Sequence, residues 1–292
     1  MSVIEVIYTK KQIRLASGNV YFLWGESKMK KKLILLGIFL LISAYVTNAE
    51  VGDVIHQLDS DDLPFTDYDE YCSIGLAFDG NSLYYDWCDN YNVYEIDPIS
   101  GSLRDTHDLS EDLPSHPNAM AYDKSRNRMW IGLQECVDGE SPIYFWDLDD
   151  DSVTKEFAVS DSDLLGFCFV DGLAFNANGP GPGDDEIWFS DDIHEKVGVF
   201  RPDGTLVNKY DATDIDSSLD TTSGVAIGGP NLYLGNNGGG DIFRADYSSW
   251  TKVDQFASEE ERLEDMSCDP QTFAPTEVMW VRHTPQGVES DD

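Results

Sequence analysis

The chain has 292 residues and carries 55 acidic against 19 basic side chains, a formal net charge of −36. Nucleic-acid binding needs clustered Lys and Arg to neutralise phosphates, and an anionic membrane surface repels so acidic a chain, which excludes both as partners. With 41% hydrophobic and 12% aromatic residues there is apolar material for a packed core, and 24 glycines and 14 tyrosines lean toward an all-β domain.

In chain order, residues 1–28 read as an upstream extension without a fold. Met29-Lys30-Lys31-Lys32 then precedes an apolar run from Leu33 to Val46 and the small residue Ala49, which is the pattern of a signal peptide over 29–49. The run is too short to favour a spanning helix, so no membrane insertion is expected once the leader is removed. Residues 1–49 hold seven of the basic side chains and two of the acidic ones, which leaves 53 acidic against 12 basic in 50–292. A secreted or cell-surface protein is the expectation.

A repeat organises 50–292. Five segments open alike: Gly75-Leu76-Ala77-Phe78-Asp79, Ala119-Met120-Ala121-Tyr122-Asp123, Gly172-Leu173-Ala174-Phe175-Asn176, Gly224-Val225-Ala226-Ile227-Gly228 and Asp265-Met266-Ser267-Cys268-Asp269. Each leads into an apolar run with an aromatic at one position: Tyr84, Trp130, Trp188, Tyr233 and Trp280. These aromatics read as packing core, not as a sugar platform. A third run and, in four units, a more polar fourth follow, separated by turns such as Pro202-Asp203-Gly204. Four short strands per unit of roughly 40–50 residues describe a β-propeller blade.

The predicted blades are 72–110, 117–160, 170–211, 222–257 and 264–292. The fifth unit runs out after a weak third strand at 287–291. Its missing outer strand is expected at 53–59, where Val54-Ile55-His56-Gln57-Leu58-Asp59 resembles Leu206-Val207-Asn208-Lys209-Tyr210-Asp211. The expected fold is therefore an all-β, five-bladed propeller closed by pairing of the N-terminal strand with the C-terminal blade. That pairing would also remove an open sheet edge.

The pattern resembles the extracellular propeller repeats of the NHL and YVTN type and, more loosely, the gluconolactonase-like propellers. The resemblance covers 51–292 through short motifs that recur across many functions, so it implies a fold and not an activity.

On this architecture the connections into the first strands lie on one face, and they hold nineteen carboxylates against Arg262 alone. The second-to-third-strand loops add Asp86, Asp191 and Trp87 as expected binding residues on the same face. Three readings stand open: a salt-adapted surface, a Ca²⁺-binding face supplied by hard carboxylate oxygens, and a face for a basic partner. The residues just before each first-strand motif are Ile74, Asn118, Asp171, Ser223 and Glu264, and they should ring one mouth of the central channel. Gluconolactonase-like propellers hold a divalent ion with Glu, Asn and Asp near the channel, so the resemblance makes Asn118, Asp171 and Glu264 the metal candidates. A polar mouth filled with water is the plainer reading of the same residues.

Other motifs are weaker. Asp147-Leu148-Asp149-Asp150-Asp151 lacks the Gly and the final Glu of an EF-hand loop and reads as a hairpin turn. Asn236-Asn237-Gly238-Gly239-Gly240 has no helix behind it and reads as a loop. The five histidines show no zinc spacing, and no G-x-S-x-G elbow is present. Among the pairings that five cysteines allow, Cys72–Cys88 and Cys136–Cys168 are expected, each tying a loop on the acidic face. Cys268 is left as a buried free thiol. The functional expectation is a non-catalytic binding module that takes an extracellular protein, peptide or glycan on an acidic, Ca²⁺-competent face. The alternative is a metal-dependent, lactonase-like hydrolase in which Asp86 or Asp191 serves as base.

Overall fold

A computed structural model describes residues 3–10, 52–59, 63, 75–86, 90–133, 137, 140–160, 170–177, 185–192, 194–219, 221–258, 263–269, 271 and 277–283. Apart from one short 3₁₀ turn at Ala212–Asp214, the regular structure among them is all β, arranged as five four-stranded antiparallel sheets. The first sheet holds β3 (Leu76–Phe78), β4 (Leu83–Asp86), β5 (Asn92–Ile96) and β6 (Leu103–Asp108) in that order. The second holds β7 (Pro117–Asp123), β8 (Arg128–Leu133), β9 (Glu140–Asp147) and β10 (Val153–Ser160). The third is β11 (Gly172–Asn176), β12 (Glu186–Asp191), β13 (Lys196–Phe200) and β14 (Leu206–Asp211). The fourth is β15 (Thr222–Gly228), β16 (Asn231–Asn236), β17 (Asp241–Asp246) and β18 (Thr251–Ala257).

The fifth sheet joins both ends of the chain: β19 (Leu263–Asp269), β20 (Glu277–His283), β1 (Val3–Lys10) and β2 (Val54–Asp59). The outer strand is the N-terminal segment that the sequence pointed to. Its neighbour is a correction. The third place belongs to β1, which pairs antiparallel with β20 from Val3↔His283 and with β2 from Val3↔Asp59. Residues 1–28 were expected to have no fold, and the run Val3-Ile4-Glu5-Val6-Ile7-Tyr8 was set aside because it lies upstream of the expected leader. It has the β-branched composition of a strand. The expected third strand at 287–291 and the leader at 29–49 lie outside the described residues.

The repeat has a packing reason. In all five sheets the third residue of the first-strand motif stands directly opposite the recurring aromatic: Ala77↔Tyr84, Ala121↔Trp130, Ala174↔Trp188, Ala226↔Tyr233 and Ser267↔Trp280. A small side chain facing a large one lets the aromatic lie over the strand, and cross-strand pairs of this kind are the unit of sheet stabilisation. All five aromatics are buried, Trp280 completely. Sealing such a ring from water contributes about 2–3 kcal/mol.

The core is divided into five apolar clusters, each between two sheets. One joins the first and second sheets through Ala77 and Trp146, and others join the second to the third, the third to the fourth and the fourth to the fifth. The last, around Tyr85 and Trp280, joins the fifth sheet to the first. The first strands of the sheets adjoin in the same order, with β3 beside both β7 and β19. The arrangement is that of a β-propeller. The outer strands β6 and β14 are largely exposed and polar, which protects an open edge from pairing.

Many of the acidic residues shape turns. Asp97 Oδ1 accepts the N–H groups of Ile99 and Ser100, Asp246 Oδ1 those of Ser248 and Ser249, and Asp79 Oδ1 those of Asn81 and Ser82. An aspartate bonding the backbone two or three residues ahead replaces a turn's own hydrogen bond. Asp147–Asp151 is such a hairpin turn, with Asp147 Oδ1 accepting from Asp149 N at 3.0 Å, and 236–240 is the loop between β16 and β17. Gly204 closes the β13–β14 turn at φ +82°, where a Cβ would also stand 2.7 Å from that of Phe157.

Candidate functional site

Three of the first strands share an irregularity. Register slips fall between Pro117 and Ala119 in β7, between Thr222 and Val225 in β15, and between Leu263 and Met266 in β19. Asn118, Ser223 and Glu264 occupy those slips, and a bulge re-aims a side chain out of the pleat. Asp171 immediately precedes β11, at the equivalent position of its sheet. Asn118, Ser223 and Glu264 are fully buried and Asp171 is 5% exposed. Ile74, the fifth position, lies outside the described residues.

Asn118 Nδ2 donates to the carbonyl of Val170 at 2.6 Å, which places the side chain beside Asp171. Its Oδ1 is buried and accepts no hydrogen bond among the described residues, and the same holds for Ser223 Oγ. The Ser223 carbonyl accepts the hydroxyl of Ser190.

Asp171, Asp191 and Asp192 each bring a carboxylate oxygen to within 4.8 Å of the others. Secondary structure does the positioning: Asp191 ends β12, Asp192 follows it, and Asp171 donates its N–H to the carbonyl of Ser190 at 3.1 Å. Asp171 Oδ2 accepts the N–H of Asp192 at 2.9 Å, and Asn237 Nδ2 donates to Asp192 Oδ2 at 3.2 Å. His194 binds Asp191 twice, with its backbone N–H to Oδ1 at 3.1 Å and with Nδ1 2.9 Å from Oδ2. Burial raises the Asp171 carboxyl well above the usual carboxylate range, and the charges of Asp192 and Glu264 push it further. A carboxyl raised in this way keeps its proton at pH values where an exposed aspartate has lost it.

A second buried group of charges adjoins the first through Glu264. Arg282 of β20 is fully buried with its guanidinium 5.1 Å from the centre of the Tyr85 ring. Burial lowers its pKa to about 10, against the opposing influence of Tyr85, Asp86 and Glu264. Asp86 is not a surface loop residue. It ends β4, is fully buried, and its Oδ1 accepts the N–H of Gly75 at 2.9 Å. Burial raises it to about 7, opposed by that N–H and by Arg282.

The structure thus brings Asp191 of the expected binding residues next to Asp171 of the expected metal ligands, with Asn118 and Glu264 beside Asp171. Asp86 belongs to the arginine group. Trp87, Cys72, Cys88, Cys136 and Cys168 lie outside the described residues. Cys268, expected to be buried, is half-buried near the end of β19. Sequence reasoning placed Asp192 on the acidic face without singling it out, and it passed over His194, Asn237 and Arg282. Arg282 had a signal: it stands two residues after the recurring aromatic, where the other sheets have Asp86, Gly132, Ser190 and Gly235. The other three meet only through folding.

No protein-family model matches the chain, and no curated protein matches it in sequence. Among solved structures it is similar to glutaminyl cyclase of Myxococcus xanthus, with 12% identity and a TM-score of 0.49 over 74% of this chain and 91% of that one. It is also similar to a structure of the nidogen/laminin complex, with 16% identity and a TM-score of 0.44 over 66% of this chain and 83% of that one. A third is hydrazine synthase of Kuenenia stuttgartiensis, with 14% identity and a TM-score of 0.44 over 66% of this chain and 51% of that one. No helix among the described residues is long and apolar enough to cross a membrane.

Proposed function

We propose that this protein is an exported, five-bladed propeller of the extracellular NHL/YVTN-like kind that binds a divalent cation, Ca²⁺ in the first place, at one mouth of its channel. In this reading the five sheets are blades of a closed ring, 29–49 is the export leader, and the cation prepares the acidic face to bind an extracellular protein, peptide or glycan. The observation that carries the cation site is the convergence of Asp171, Asp191 and Asp192 within 4.8 Å. Six to eight oxygen ligands suit Ca²⁺, and three carboxylates with the amide oxygen of Asn118 and the carboxylate of Glu264 nearby offer that chemistry. Bound, the ion supplies positive charge that offsets the mutual repulsion of Asp171, Asp192 and Glu264.

The hydrolase alternative draws on one feature, the Asp86 carboxyl held at about 7, a value suited to proton transfer. Asp86 is enclosed in the first sheet and already accepts the Gly75 N–H, so the binding reading has more behind it.

Calorimetric titration of the full chain with Ca²⁺, in low and high NaCl, tests the proposal. A single site that survives high salt and disappears in both Asp171→Asn and Asp192→Asn, but not in Asp86→Asn, is expected. Weak binding that salt abolishes and no variant alters would leave the carboxylates as a solvated face.

A further inference from the structure

The chain has two Asn-Gly pairs, Asn178-Gly179 and Asn237-Gly238, and the second reaches the carboxylate cluster. It lies in the loop that joins β16 to β17, where Asn237 Nδ2 donates to Asp192 Oδ2 at 3.2 Å. The residues just before Gly238 are tied down. Asn236 is 5% exposed, its Nδ2 donates to the Ser218 carbonyl at 3.0 Å, and its own carbonyl accepts the N–H groups of Gly239 and Gly240 at 3.3 and 3.2 Å. Asn237 donates its backbone N–H to the Thr221 carbonyl at 2.6 Å, and its carbonyl accepts the Thr221 hydroxyl.

Gly238 differs from both. Gly238 and Gly239 are exposed, whereas Asn237 is half-buried. The Gly238 N–H donates to no backbone carbonyl among the described residues. With φ at +101° and nothing within 4 Å of the place a Cβ would take, its backbone has room to turn. An unbonded, unshielded amide nitrogen therefore follows an asparagine whose side chain faces a carboxylate. Asn236 has no such neighbour, since the residue after it is the tied Asn237.

We propose that Asn237 is a modification site, at which the chain converts its own amide to a carboxylate and so adds an acidic group beside Asp171, Asp191 and Asp192. The Gly238 nitrogen loses its proton and bonds to Asn237 Cγ. The Cγ–Nδ2 bond breaks, and Nδ2 leaves as ammonia with that proton. Water then opens the cyclic imide at Cγ, giving aspartate, or at the backbone carbonyl carbon, giving isoaspartate, and a proton returns to the Gly238 nitrogen. The sum is one water consumed and one ammonia released, with no oxidant or reductant. In the aspartate product an oxygen replaces Nδ2, so the donor that faced Asp192 becomes a like charge. Like charges this close raise the cost of ionisation, and a cation held among them offsets it. The consequence for Ca²⁺ rests on the cation reading above; the ring closure and the added repulsion do not.

The full chain is incubated at mildly alkaline pH, folded and in urea, and peptide mass spectrometry follows Asn237. A new carboxyl at this position is expected in both. Asn237→Asp stands for the product, with Asn237→Ser, which removes the amide without adding charge, as its control. In Ca²⁺-free buffer Asn237→Asp is expected to unfold at lower urea than Asn237→Ser, and high NaCl should close the gap. Calorimetry is expected to give Asn237→Asp a Ca²⁺ affinity about tenfold above that of the parent, since ligand charge tunes such sites. An Asn237 that keeps its amide in the folded chain while losing it in urea would overturn the modification site. Equal midpoints for the two variants, or Ca²⁺ binding in the parent that Asn237→Asp does not strengthen, would show that the new charge does not join the cluster. A carboxyl formed and midpoints apart, with no Ca²⁺ bound by parent or variant, would overturn the cation reading and leave this one standing.

Discussion

The Oδ2 atom of Asp265 accepts the backbone N–H of Leu76 at 2.9 Å, tying the last of the first-position strands to the earliest across 189 residues of chain. The same oxygen accepts the N–H of Met120 at 3.2 Å, and Oδ1 accepts that of Met266 at 2.8 Å. Three buried edge-strand donors thereby find an acceptor on one side chain. Its cost is visible too: burial raises the carboxyl well above its ordinary range, while the three N–H groups work to lower it.

Asp265→Ala leaves these donors buried and unpaired, at about 1–3 kcal/mol each, offset in part by relief of the desolvated carboxyl. A net loss of about 2–4 kcal/mol in unfolding free energy is expected, read as a lower urea midpoint. An unchanged midpoint would mean that the carboxyl costs as much as its three bonds contribute.

Asp86 predicts a pH dependence. The folded carboxyl keeps its proton up to about pH 7, whereas an unfolded aspartate releases it near 4. Between those values the folded state binds more protons, so stability falls as pH rises through the window, by an amount on the order of a few kcal/mol. Asp97 acts the other way and only below about pH 4, because the Ser100 N–H and Arg104 hold it down at about 2. Urea midpoints of the parent should drop between pH 5 and pH 8. Asp86→Asn, which keeps an acceptor for the Gly75 N–H, should flatten part of that drop.

The small-opposite-aromatic rule is testable at Ala77, which is fully buried and stands opposite Tyr84. Ala77→Leu forces a larger side chain beneath the ring. A loss of about 1–3 kcal/mol is expected in thermal or urea unfolding, as for overpacked cores in general. Ala77→Ser, matching the Ser267–Trp280 pair, should cost less.

Cleavage after Ala49 would take β1 away with the leader, leaving β20 and β2 without the strand that joins them. Hydrogen exchange along β20 and β2, compared between the full chain and a chain lacking 1–49, measures the consequence. Lost protection on both strands is expected if β1 alone fills the place. Retained protection would mean that another segment takes it, as the sequence reading had it for 287–291. N-terminal sequencing of the protein isolated from its source decides which form is present.

Much of this molecule was legible in one dimension, because its architecture is a repeat. Four short strands per unit, a recurring aromatic facing a recurring small residue, and an N-terminal strand that belongs with the last unit can all be read from spacing, since each is enforced by neighbours in one sheet. Equivalent repeat positions also reach equivalent places, which is why Asn118, Ser223 and Glu264 fall at matching irregularities of their first strands. What the tertiary structure decided is which of many identical-looking aspartates matter. Asp79, Asp97 and Asp246 hold turns, Asp265 ties β19 to β3 and β7, Asp86 is enclosed near Arg282, and Asp171, Asp191 and Asp192 converge. A carboxylate's role is set by what faces it across strands more than a hundred residues apart or around a loop. Local pattern carries no record of that. The place of Val3–Lys10 was decided there as well, since strand pairing is settled by which edge lies open and not by order along the chain.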